Sequence, residues 1–191
     1  MGQSFWSRGP ALSTYFTAKD FPRLKGLPGL ATDDYASVLQ ASLEITQILY
    51  NAHGILYSST DRTLALVHEG DYPRYLDDFQ RSSARWYKAW IDAEFSHEIK
   101  TTLLLLYEYM CLYVNAFSFQ AVLLRALQSQ PHRHMPVHGR PSADLFSHGL
   151  MSSPDGPYVY KAISAARKTL RLVTSLRSRD VLQYLPTRYF L

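Results

Sequence analysis

The stretch TLLLLYEYMCLYVNAFSFQAVLLRAL, from Thr102 to Leu127, constrains the fold more than any other part of the chain. It is apolar on almost every side, so a helix made from it needs apolar neighbours around most of its circumference. Starting near Ser96 and ending near Leu127, at ~1.5 Å per residue it is about 45 Å long. Its less apolar residues are ordered: Glu108, Cys111, Asn115, Ser118 and Arg125 follow intervals of three, four, three and seven and form one narrow stripe. The segment has the length of a membrane span. Burying a carboxylate and two amides in lipid costs several kcal/mol, however, and no positively charged flank fixes an orientation. The expected fold is therefore an all-α, multi-helix bundle around a long central apolar helix at about 96–127, with no membrane partner. Its stripe is either hydrogen-bonded internally or turned toward a cavity.

Three further segments carry a helical period. In the first, Thr32 or Asp33 is the cap, with Asp33, Ser37, Gln40, Glu44, Gln47 and Asn51 outside and Tyr35, Val38, Leu39, Leu43, Leu49 and Leu56 facing inward. Gly54 weakens its end. The second opens after Gly70, with Asp71 as N-cap and Pro73 in the first turn, where a missing N–H costs nothing. Tyr72, Leu76, Phe79, Trp86 and Trp90 share one face of it, and Asp77, Arg81, Arg85, Lys88 and Asp92 the other. The tryptophans read as core, with an aromatic ligand shelf as the alternative.

The last helical segment begins between Pro154 and Tyr158, continues to about Ser178, and places Val159, Ile163, Ala166, Leu170 and Val173 on one face. Lys161, Arg167, Lys168, Arg171, Arg177 and Arg179 make it basic, as a solvated face or as a surface for phosphate or an acidic partner. Residues 128–156, with four prolines from Pro131 to Pro154, form a long variable loop within a single domain spanning 1–191.

Composition narrows the chemistry. The net charge of +4 comes from scattered residues, with no dense basic arm for nucleic acid. One cysteine, Cys111, excludes an internal disulfide and any CxxC-type zinc site. The loop histidines His132, His134, His138 and His148 match no metal-ligand spacing and have no carboxylate or thiolate to complete a site. In SHEIK, from Ser96 to Lys100, neighbouring helical residues point in different directions and cannot form a relay. With no G-x-S-x-G, H-E-x-x-H or Gly-rich phosphate loop, the chain is expected to be no enzyme and to hold no metal or cofactor. The opening MGQSFWSRGPAL has neither a secretory nor a transit pattern, so a soluble, intracellular chain is expected.

Three segments, in order, carry a resemblance: LEITQILYNAHGILYSS (Leu43 to Ser59), GDYPRYLDDFQRSSARWYKAW (Gly70 to Trp90) and LLLLYEYMCLYVNAFSFQA (Leu103 to Ala121). Together they resemble the middle homology, or regulatory, domain of fungal binuclear zinc-cluster transcription factors. LYVNAFSFQA and LDDF are most similar to the activators of aromatic amino-acid catabolism genes, and DGPYVYKAISAARKTL and the closing YLPTRYFL also fit. The resemblance implies an all-helical regulatory domain in the nucleus. It would control RNA polymerase II transcription of metabolic genes, sense a small aromatic metabolite, and pair as a homodimer or as a heterodimer with a full-length regulator. The six-cysteine zinc cluster of the family is missing, so sequence-specific DNA binding is not carried over. The family domain also continues past Leu191, which implies a C-terminally incomplete domain or a truncated paralogue.

Two readings of the stripe stay open. In one, Asn115 and Gln120 supply donors and acceptors, Arg125 forks onto a carboxylate, and Glu108 and Tyr113, with Tyr109, Phe117 and Phe119, complete a small site for an aromatic acid. In the other, Asn115 bonds a neighbouring helix, Glu108 pairs with an arginine, and the domain is a ligand-free interaction or dimerisation module.

Overall fold

The long apolar helix is the spine on which the other helices are laid. The computed structural model describes residues 34–128 and 153–177, which hold five helices and no strand. They are α1 (Tyr35–Leu56), α2 (Thr60–Glu69), α3 (Tyr72–Trp90), α4 (His97–Gln128) and α5 (Gly156–Arg177). The chain is thus an all-α bundle with the long helix where its composition places it. The His/Pro-rich segment, the closing YLPTRYFL, Thr32 and Asp33 lie outside the described residues.

Leu103, Met110, Val114, Phe117 and Ala121 of α4 form the main core with Ala41, Ile45, Leu49, Ala52 and Leu56 of α1 and Leu76, Phe79 and Trp86 of α3. Phe117 is fully buried, its ring 5.4 Å from that of Tyr57 and 5.3 Å from that of Tyr72. Trp86 stacks on Tyr107 at 5.7 Å and donates its indole N–H to the Ala41 carbonyl at 2.8 Å. That satisfies the one polar atom a buried tryptophan carries, and makes Trp86 core. Half-buried Trp90 donates to Glu44 at 2.8 Å.

Helix α5 lies along another flank of α4 and makes its most extensive contact there. This explains why α4 lacks a clear polar face: α1 and α3 cover one side and α5 another. By length and composition α4 is apolar enough to cross a membrane. The core helix of a bundle meets the same description, and here buried Glu108 is paired across a helix contact.

Three expectations need correction. In α1 the inward face is Ala41, Ile45, Leu49, Ala52 and Leu56, whereas Tyr35 and Leu39 are about half exposed, at 51% and 49%. In α5 the buried residues are Val159, Ala162 and Ala165, and Ile163 and Leu170 point outward. In both helices part of the buried face is alanine, whose small side chain does not mark a face by bulk. Helix α2, unexpected from the pattern, is short and buries only Thr63, Leu66 and Val67. Its ends are well marked: the Ser59 hydroxyl accepts from the Arg62 N–H at 3.1 Å, and Gly70 closes it at φ 72°. Only glycine adopts that left-handed backbone at no steric cost.

Candidate functional site

The polar stripe of α4 faces α3 and α5 and is tied to both. Asn115 is 3% exposed; its carbonyl accepts from the Gln80 amide of α3 at 2.8 Å, and its own amide donates to the Cys111 carbonyl at 2.7 Å. Gln80 in turn accepts from the Lys161 ammonium of α5. Ser118, fully buried, donates to the backbone carbonyl of Asn115 at 2.7 Å, whereas Gln80 is held by the Asn115 side-chain oxygen. Toward the start of α4, the Glu108 carboxylate, with 8% of its side chain exposed, takes the Lys168 ammonium at 3.1 Å. The expected partner was an arginine; a lysine of α5 serves instead, its stem crossing the helix contact and 56% of the side chain still in water.

At the other end, three elements meet. Arg125 donates through one guanidinium nitrogen to the Tyr72 hydroxyl at 2.9 Å and through another to the Asp155 carboxylate, while Tyr72 donates to the second Asp155 oxygen. Asp155 is 4% exposed, and its backbone carbonyl accepts from the N–H groups of Tyr158 and Val159, so it fixes the start of α5. Tyr158 adds a bond to Asp77 of α3 at 2.9 Å. Pairs Arg125–Asp155 and Glu108–Lys168 advance in opposite directions along the two helices, so α5 runs antiparallel to α4.

Of the residues singled out in the sequence, Glu108, Asn115 and Arg125 belong to this seam. Gln120 does not: five positions from Asn115 it has turned away, and it is exposed. Tyr113 faces α1, where its hydroxyl meets His53 Nδ1 at 2.7 Å and its carbonyl accepts from Tyr57 at 3.1 Å. Tyr109 and Phe119 are 40% and 45% exposed and Phe117 is in the core, so the four aromatics are not brought together around Asn115. Tyr72, Gln80, Asp155, Lys161 and Lys168 were missed. Only Asp155 had a local signal, an acidic residue before Gly156-Pro157 at a helix start.

Burial raises the pKa of several groups here. Tyr72 is pushed up to about 12 by burial and by its bond to Asp155, Tyr158 to about 12 by burial and by its bond to Asp77, and Tyr113 to about 12 by burial and the neighbouring Tyr109. Burial lifts Tyr57 and Tyr107 further still. A phenol whose folded pKa lies above its unfolded value stabilises the fold fully below the unfolded value and less as pH rises through the folded one. Stability is therefore expected to fall between 10.0 and about 12. An absorbance titration of phenolate should show native chains ionising later than chains in denaturant; superimposed curves would place these tyrosines in water. The Cys111 thiol is pushed up to about 11 by burial, which keeps it protonated and a poor nucleophile near neutral pH.

Among the described residues no group of three or more His, Cys, Asp or Glu is placed to hold a metal ion. The seam supplies no nucleophile with a base. Its chemistry is that of a clasp: donors and acceptors from three helices engage one another and fix how α5 is seated. No family model, no curated protein and no solved structure matches this chain.

Proposed function

We propose that the chain is a regulatory domain from a nuclear transcription regulator of the zinc-cluster kind, and that it works as a ligand-free helical interaction module. The observation that carries the second half is the engagement of the stripe: Glu108, Asn115, Ser118 and Arg125 each bond side chains or backbone of the bundle itself. An aromatic acid binding there would have to displace Asp155 from Arg125, which strands a buried carboxylate, or Gln80 from Asn115, which breaks the bond between α3 and α4. The first half rests on the resemblance of the α1, α3 and α4 segments and accords with an all-helical bundle. In such a regulator this domain would act through a protein partner.

Fused to an unrelated DNA-binding domain, the chain is expected to change transcription of a reporter severalfold, and Asp155→Ala, by unseating α5, to remove the change. Adding aromatic amino acids is expected to leave the output where it was. An inert fusion that is folded and expressed overturns the transcriptional reading, and a dose-dependent response to an aromatic acid overturns the ligand-free one.

A further inference from the structure

Helix α5 contains five basic residues and no acidic one. Lys161 and Lys168 are turned toward Gln80 and Glu108 in the seam, but Arg167 and Arg171 take part in no ion pair among the described residues. Beside them stand three large apolar side chains in water, Tyr160 at 60% exposed, Ile163 at 44% and Leu170 at 65%. Advancing about 100° per residue, the outer face of α5 reads Leu170, Ile163, Arg167, Tyr160, Arg171, all within a sector of roughly 100°. The two kinds of side chain therefore occupy one surface and do not sit on separate sides of the helix.

We propose that this face docks an amphipathic helix whose apolar side chains cover Tyr160, Ile163 and Leu170 and whose acidic side chains meet Arg167 and Arg171. Charge and shape favour that occupant over others. On a lipid surface Arg167, which lies between Ile163 and Tyr160, would be carried into the acyl region together with the apolar residues. A nucleic acid would satisfy the arginines through phosphate but leave Ile163 and Leu170 in water. A second copy packed on the same face by a two-fold axis would set arginines against arginines. An acidic amphipathic helix desolvates the apolar groups and neutralises the charges in one contact. This surface is separate from the seam, and the proposal does not depend on the transcriptional reading.

The test uses the whole chain and a fluorescein-labelled helical peptide with leucines along one stripe and glutamates flanking it, read by fluorescence anisotropy. A second peptide has every glutamate replaced by glutamine. The glutamate peptide is expected to bind, the glutamine peptide at least about tenfold more weakly, and Arg167→Glu and Leu170→Ser each to weaken binding by about tenfold. Both substitutions are at exposed positions and should leave the circular dichroism spectrum unchanged; Tyr35→Ser, at an exposed apolar residue of α1, should leave binding unchanged. Absence of binding, or equal binding of both peptides, overturns the proposal. So does loss on Arg167→Glu with none on Leu170→Ser when duplex DNA or phosphatidylserine vesicles are bound in the peptide's place. Self-association of the chain that Leu170→Ser abolishes overturns it in favour of a second copy.

Discussion

Asp155→Ala is expected to lower Tm by roughly 4–12 °C, and to loosen α5 before anything else. Asp155 is 4% exposed and receives both Arg125 and Tyr72. Removing one partner of a buried pair costs about 3–5 kcal/mol, because the other charge is left without compensation. Here 41% of the Arg125 side chain is exposed, so water recovers part of that loss and about 2–3 kcal/mol remains. A domain of this size shifts by about 2–4 °C per kcal/mol, which gives the range above. The more telling readout is amide exchange. Amides of α5 are expected to exchange faster in the variant while those of α1 and α3 keep their protection; a uniform loss across all helices would mean that α5 and the core open as one unit.

Phe117→Ala is expected to be at least as damaging, and globally so. The ring is 0% exposed and packs against Tyr57 and Tyr72, so its removal leaves a cavity that helices on three sides cannot close. Such truncations cost about 3–5 kcal/mol, against a total margin of ~5–15 kcal/mol for a domain. Two positions on, Phe119 is 45% exposed, and Phe119→Ala should cost no more than about 0.5 kcal/mol. Denaturant midpoints of the two variants measured side by side check the orientation of α4. Equal losses would mean that the helix is rotated from the placement described.

The central helix was legible because a long run without polar interruption has few ways to fold, and the stripe was legible because its intervals match one helical face. Helix α3 announced itself by Asp71 and Pro73, although the Asp71 carboxylate pairs with Arg74 at 3.1 Å and does not cap the backbone. The inward faces of α1 and α5 were legible only in part: Leu49, Leu56 and Val159 are buried as expected, but much of the remaining burial falls on Ala41, Ala52, Ala162 and Ala165, residues too small to mark a face by bulk. The partners in the seam were not legible. Tyr72 and Asp155 are 83 positions apart, and nothing local in either neighbourhood says that they will meet. Polar residues on one helix announce that something must satisfy them; which residue does so is decided by how the helices dock.

The buried residues of α5, Val159, Ala162 and Ala165, carry a thermodynamic consequence. None belongs to the main core, and two are alanines, so α5 is held by its long contact with α4 and not by inserting bulky side chains into that core. The heat capacity and denaturant sensitivity of an opening scale with the surface it uncovers, so lifting α5 alone carries less of both than unfolding the whole bundle. Part of its cost lies in the bonds of Asp155, Lys161 and Lys168, and two of these are ion pairs that reach water and respond to ionic strength. The same bundle thus has two temperaments: a four-helix body held by its buried core, and a fifth helix whose seating also answers to salt.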